Sequence, residues 1–261
     1  MNRIDKKFIQ LKKQGKQAFI AFITAGYPDL STTGKLVREL ENKGVDIIEL
    51  GVPFSDPLAD GPIIQEACGY ALKQKTNLVK ILGLVKQLRK HTSIPICLMT
   101  YYNPVFCFGD KTFVEQAKIC GVDGVIIPDL PYEEAREFSR YAHQKGLANI
   151  CFISPTSCAA RIKAILKVAR GFIYYVSLTG VTGSRQGPSA DLKTKLAALR
   201  KLTAKPVCVG FGISYPSQVR QLRKMADGVI IGSAIVAKIK ENIGNRNLVQ
   251  RVGNFVGRLN V

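Results

Sequence analysis

Two carboxylates in this chain, Glu49 and Asp60, sit at a spacing that suits general acid/base chemistry. They bracket the segment Glu49-Leu50-Gly51-Val52-Pro53-Phe54-Ser55-Asp56-Pro57-Leu58-Ala59-Asp60. The run from Val45 to Glu49 reads as a buried strand, and Pro53, Pro57 and Pro62 keep the next stretch of chain out of regular structure. A strand end therefore delivers one acid and a loop delivers the second. Two carboxyl groups in different surroundings can hold different pKa values and take different parts in a proton-transfer reaction. A structural account fits the same residues. Glu49 could be a strand-end acid satisfied by a neighbour, and Asp60 an N-cap for a helix beginning Gly61-Pro62, since Asp ahead of an early helical Pro is a capping pattern.

Strand parity sharpens the role of Glu49. Val45, Ile47 and Glu49 share one face of their strand, and Asp46, Ile48 and Leu50 share the other. If Val45 and Ile47 face an apolar interior, Glu49 ends at the top of it. A carboxyl there has a raised pKa and can donate a proton near neutrality.

The elements that must position these acids recur as strand plus helix. Strands are expected over 18–24, 45–50, 94–99, 123–128, 149–153, 171–176, 205–209 and 227–231, with helical segments between them. Leu30, Leu36, Val37 and Leu40 form a modest helical stripe with Gly44 placed to stop it, and Leu78, Ile81, Leu82, Val85 and Leu88 form a firmer one. Ile4, Phe8 and Leu11 add helical spacing ahead of the first strand. Eight such units in 261 residues, with no linker, predict one domain over 1–261. Its class is α/β, a single (β/α)8 TIM barrel with an extra N-terminal helix. An open doubly wound sheet competes, but Thr24-Ala25-Gly26-Tyr27-Pro28 after the first strand is a turn and not a dinucleotide fingerprint. Barrel active sites lie at the C-terminal strand ends, which directs attention to Thr24, Glu49, Tyr101, Asp129, Ser154, Ser177, Gly212 and Gly232.

Glycine-rich loops come after the last three strands. Gly210-Phe211-Gly212-Ile213-Ser214 trails the seventh, and Gly232-Ser233-Ala234-Ile235-Val236 opens a helix after the eighth. Backbone N–H groups in such loops can approach an anion, and a helix N-terminus adds favourable partial charge. The loop from Leu178 to Arg185 could supply a further amide and fold over the site. Together the three loops point to a phosphorylated small molecule.

Composition narrows the function classes. No apolar stretch approaches the roughly 18 residues of a membrane span, and the spaced apolar residues of the N-terminus argue against a secretory signal. Seven scattered cysteines without a C-x-x-C indicate neither a disulfide framework nor a zinc site, and suggest a reducing compartment. His91 and His143 fall in helix-end contexts, so no metal ligand set is expected. The formal charge of +19 raises nucleic-acid binding. The basic residues, however, are spread over helices without interleaved aromatics, which favours a solvated surface that attracts an anionic substrate and not specific nucleic-acid recognition.

Seven motifs in order resemble the tryptophan synthase alpha subunit family over nearly the whole chain. They are AFITAGYP at 21–28, ELGVPFSDPLADGPIIQ at 49–65, MTYYNP at 99–104, PDLP at 128–131, GVTGSR at 180–185, GFGIS at 210–214 and GSAIV at 232–236. The resemblance implies retro-aldol cleavage of indole-3-glycerol phosphate to indole and glyceraldehyde 3-phosphate. The bond from indole C3 breaks readily once C3 is protonated and the adjacent hydroxyl has lost its proton. By resemblance Glu49 handles those transfers, while Asp60 binds the indole N–H and stabilises the positive charge on the ring.

The resemblance further implies that Phe22, Met99, Ile126, Tyr174 and Phe211 line the indole pocket. It implies that Gly183, Gly212, Gly232 and Ser233 contact phosphate, and that Thr182 meets Asp60 when a lid closes. No metal or organic cofactor is implied in this chain. A beta subunit carrying pyridoxal phosphate is implied as partner in an alpha2-beta2 complex, facing Asp56 and the region of Asn103 and Pro104. The expected location is the cytoplasm, or the plastid stroma for an organelle-encoded chain. A Schiff-base aldolase would need a lysine at a strand end, and the eight strand-end positions hold none. A non-catalytic activator barrel would have little need of Glu49, Asp60, Thr182 and the phosphate glycines together.

Overall fold

The computed structural model describes residues 1–176, 190–210 and 212–260. Its first half runs α1 (Arg3–Lys13), β1 (Ala18–Thr24), α2 (Leu30–Asn42), β2 (Ile47–Gly51), α3 (Pro62–Lys73), α4 (Leu78–Leu88), β3 (Ile96–Met99), α5 (Tyr102–Phe108), α6 (Asp110–Cys120) and β4 (Gly124–Ile126). The second half continues α7 (Arg136–Gln144), β5 (Ala148–Ile153), α8 (Ala159–Val168), β6 (Ile173–Val176), α9 (Ala190–Leu202), β7 (Val207–Gly210), α10 (Pro216–Arg223), β8 (Gly228–Ile231), α11 (Ser233–Lys240) and α12 (Leu248–Leu259). All eight strands pair in parallel, and β8 returns to β1 to close the barrel. The expected (β/α)8 architecture is the one observed.

Alternation along the strands divides the core into two layers. Ile20, Ile47, Cys97, Ile150, Phe172, Tyr174, Cys208 and Ile230 point inward and fill the barrel. Ile48, Leu50, Ile96, Leu98, Val125, Val209, Val229 and Ile231 point outward and pack under the helices. The N-terminal helix belongs to the inner layer, since Ile4, Phe8 and Leu11 plug the base, with the Phe8 ring 5.9 Å from that of Phe172. A reciprocal capping box starts this helix. Asn2 Oδ1 accepts from the Asp5 N–H, and Asp5 Oδ2 accepts from the Asn2 N–H.

Two local expectations change. Val45 lies in the outer layer, because β2 begins only at Ile47 and the residues before it still finish the turn from α2, where the Val45 N–H donates to Leu40 O. The α2 stripe buries Thr33 with Leu36, Val37 and Leu40, while Leu30 is half-buried. Thr33 is tolerated there because its hydroxyl accepts from the Gly26 N–H at 3.0 Å and donates to Asp29 O at 2.8 Å. Gly44 comes after the helix at φ +83°, in the left-handed region that suits a helix stop. The stripe expected over Leu78–Leu88 is buried at all five of its positions.

Candidate active site

Parallel strands all end at one mouth of the barrel, and a cavity of about 380 Å³ opens there. Phe22 from β1, Met99 from β3, Tyr174 from β6 and Ile230 from β8 give it apolar walls. Gly212, Ser214, Gly232 and Ser233 line one side, and Asp60 and Gly61 lie on the loop after β2. An apolar chamber with a few convergent polar groups is the form of a small-molecule site.

Glu49 occupies β2 in register with Phe22 on one side and Cys97 on the other. It is 0% exposed, and neither carboxyl oxygen has a hydrogen-bond partner among the described residues. Burial pushes its pKa up to about 8. The cause is desolvation, which disfavours the carboxylate and keeps the proton on near neutral pH. Its surroundings also stay neutral, because burial first and the Glu49 charge second hold the Cys97 thiol and the Tyr174 phenol well above their usual ranges. Glu49 does not itself line the cavity but lies behind its wall.

Asp60 lives in a different setting. Burial raises its pKa, and a hydrogen bond from the Tyr101 hydroxyl to Oδ2, at 3.0 Å, pulls the other way. The Tyr101 oxygen in turn accepts from the Ala59 N–H at 2.8 Å, and its ring stacks on Phe54 at 5.2 Å. A residue at the end of β3 thus fixes the loop that carries Asp60. The capping account of Asp60 does not hold, because Gly61 is the N-cap of α3 and no side-chain bond caps that helix. Pro62 at the first helical position removes one N–H that a cap would otherwise satisfy.

The Tyr174 ring lies over Gly210 on the neighbouring strand β7. A Cβ on Gly210 would stand 2.6 Å from the Tyr174 hydroxyl oxygen, so only glycine fits under that ring. After β8, Gly232 is the N-cap of α11 and carries no side-chain cap, which leaves the first amides of that helix facing the cavity beside Ser233.

The expected site residues therefore converge in large part. Phe22, Met99, Tyr174, Asp60, Gly212, Gly232 and Ser233 line the cavity, with Glu49 beneath. Ile126 does not line it. That side chain is fully buried in the inner layer, and Pro128, two residues on and past the end of β4, takes the wall position. Thr182, Gly183, Phe211 and Ser177 lie outside the described residues. Asp56 and Asn103 are exposed and Pro104 is half-buried, close to Leu58 at 91% and Phe106 at 67% exposure. Phe152 and Val176 were not expected in the site, whereas Tyr101, singled out at its strand end, enters it through its bond to Asp60. Parity could have found the first two, because Phe152 continues the inward set Ala148 and Ile150, and Val176 that of Phe172 and Tyr174. No group of three or more His, Cys, Asp or Glu suited to a metal ion occurs among the described residues.

A family model described as tryptophan synthase alpha chain matches residues 8–260. The tryptophan synthase alpha chain of Geotalea uraniireducens (strain Rf4) is 50% identical over 259 residues, covering 99% of this chain and 97% of that protein. Tryptophan synthase subunit alpha from Legionella pneumophila str. Paris superposes with a TM-score of 0.93 at 38% identity, over 100% of this chain and 98% of that one. A chain from the tryptophan synthase a2b2 complex of Pyrococcus furiosus gives a TM-score of 0.88 at 38% identity, over 94% and 98%.

Proposed function

The chain belongs to the tryptophan synthase alpha chain family, and on that premise we propose how its two carboxylates divide the reaction. The activity is that of a carbon–carbon lyase, cleaving indole-3-glycerol phosphate to indole and glyceraldehyde 3-phosphate for tryptophan biosynthesis. The partner is a tryptophan synthase beta subunit in an alpha2-beta2 complex.

In our reading Glu49 donates a proton to indole C3 and accepts one from the adjacent glycerol hydroxyl, whose oxygen becomes the aldehyde as the bond from C3 to the glycerol carbon breaks. A neutral carboxyl with a pKa of about 8 is suited to the first of these steps at neutral pH. Because its oxygens make no hydrogen bonds, none must be broken as the side chain swings from behind the wall into the chamber. Asp60 accepts the indole N–H, and the Tyr101 hydroxyl favours its ionised form against the cost of burial. A carboxylate there stabilises the cationic ring of the protonated intermediate.

The apolar walls from Phe22, Met99 and Tyr174 suit the indole, with Ile126 supporting them from the layer below. Gly212, in the loop after β7, and Gly232 and Ser233, at the start of α11, hold the phosphate through backbone N–H groups. Gly183, Thr182 and Phe211 keep the roles that the motif match gives them. Asp56, Asn103 and Pro104 face the beta subunit, and the apolar Leu58 and Phe106 beside them provide surface to bury there. That subunit carries the pyridoxal phosphate. One domain accounts for the chain, because α1 plugs the barrel base while α11 and α12 pack around the eight strands. No described helix is long and apolar enough to cross a membrane, and the proposed location is the cytoplasm.

The observation that carries this reading is a fully buried, unpaired carboxyl set behind an apolar chamber that Asp60 enters from the other side. The test supplies indole-3-glycerol phosphate to the chain with and without a beta subunit. Indole release is expected from the wild type and not from Glu49→Gln. Equal rates in the two would overturn the assignment.

A further inference from the structure

No described lysine or arginine lines the cavity at the mouth, and part of the positive charge gathers at the opposite end of the barrel. A second cavity of about 380 Å³ lies at the N-terminal ends of the strands, bounded by the end of α1 and by the segments leading into β1, β7 and β8. Its wall carries Lys12, Lys16, Arg200 and Lys205 against one carboxylate, Asp227.

That carboxylate is already engaged. Oδ1 accepts from Arg200 Nη2 at 2.9 Å, and Oδ2 accepts from the Val207 N–H at 2.9 Å. Among the described residues, neither Lys12 nor Lys16 pairs with an acid. Lys205 is half-buried and donates to Leu166 O at 2.8 Å, while burial and then the Arg170 guanidinium disfavour its charge.

Cations near helix C-termini ordinarily serve the terminal carbonyls. Both α1 and α9 end at this cavity, which accounts for Lys12 and Arg200. Lys16 lies beyond the end of α1, and Lys205 lies on the connection from α9 to β7. Both residues line a concave space, and neither is paired with an acid among the described residues. The Thr203 hydroxyl on the same wall accepts from the Lys205 N–H at 3.0 Å and keeps its own hydrogen to donate.

We propose that this basal cavity binds a small, multiply charged anion of the phosphate-ester or pyrophosphate class. Lys12, Lys16, Arg200 and Lys205 on one wall supply cationic donors of the kind that bind the oxygens of such a ligand, and the space exceeds that of a single phosphate. The site is separate from the substrate cavity, because it lies at the other end of the same strands.

Titration of the full chain with pyrophosphate, followed by amide chemical shifts, tests this. Saturable shifts are expected at Gly15, Lys16, Ala204 and Lys205. Affinity there should fall roughly ten-fold or more in Lys16→Gln/Lys205→Gln. Any response at Gly232 and Ser233 reports pyrophosphate in the mouth and should persist in the variant, with lyase kcat/KM unchanged. Lys16→Gln alone, at an exposed position, should weaken the basal response in the same direction and serves if the double variant does not fold. Three results would overturn the proposal: no saturable shift at the basal amides at millimolar pyrophosphate, equal affinity in the variants, or a basal response to a single-stranded oligonucleotide without one to pyrophosphate.

Discussion

Asp123 and Glu49 are both carboxylates shut away from water, at 1% and 0% exposure, yet they stand at opposite ends of the barrel in opposite states. Asp123, just ahead of β4, is saturated. Its Oδ1 accepts from Arg3 at 3.0 Å, and its Oδ2 accepts from Arg89 at 2.8 Å and from the Ile96 N–H at 3.0 Å. Glu49, at the mouth, has no partner for either oxygen. Burial therefore says little about what an acid is for, and its partners say a great deal. At the base the carboxylate ties α1, α4 and β3 together, and near the mouth Glu49 stands unpaired behind the cavity wall.

Removing each acid should separate the two ends, most strongly at the base. Asp123→Ala leaves Arg89 and the Ile96 N–H without their partner, and we expect a loss of about 3–5 kcal/mol in stability. Urea unfolding measures it, with kcat/KM per folded molecule retained. A loss below about 1 kcal/mol, the scale of a surface pair, would erase the contrast.

Glu49→Gln should have the opposite sign. The folded protein holds the Glu49 proton up to a pH of about 8, whereas a solvated side chain releases it near 4.5. Between those values the unfolded state binds fewer protons, so the wild type loses stability as pH rises from about 4.5 to 8. Below that window Glu49 makes no difference, and above it the penalty is constant. The glutamine variant escapes the penalty and should be more stable than wild type at pH 8 by on the order of 4 kcal/mol, with no gain at pH 4. Parallel stability curves for the two proteins would contradict this account.

The same group should shape the rate. As Glu49 ionises above pH about 8, kcat/KM for indole release should fall about ten-fold per pH unit. A profile flat to pH 10 would remove Glu49 as the donor.

The smallest effect belongs to Tyr101→Phe, which deletes the hydrogen bond to Asp60. We expect roughly five-fold lower kcat/KM and an acidic limb moved to higher pH, since the phenol favours the carboxylate of Asp60. An unmoved limb would leave Tyr101 as a packing residue.

Much of this was legible in the chain. The strand and helix repeat foretold the closed barrel, and parity aimed Glu49 inward even though Val45, used in that argument, proved to lie outside the strand. The glycines after β7 and β8 pointed to the mouth, and Gly212 and Gly232 do line the cavity there. The cavity depth of each residue was not legible, because parity fixes direction and leaves height open. Ile126 ends β4 within the inner layer, and Pro128, past the end of that strand, is the residue that reaches the wall. The pairing of Tyr101 with Asp60 joins residues 41 positions apart and is set by the loop conformation.

The sequence by itself determined which residues face the barrel interior and which loops expose amides, because side-chain alternation and glycine chemistry are local properties. Only the tertiary structure decided that Asp123 would be paired and Glu49 left alone, and that Asp60 would answer to Tyr101 and not to its helix. The physical reason is that desolvation and hydrogen bonding depend on groups brought together by closure of the barrel. An acid's spacing along the chain does not record who its neighbours will be.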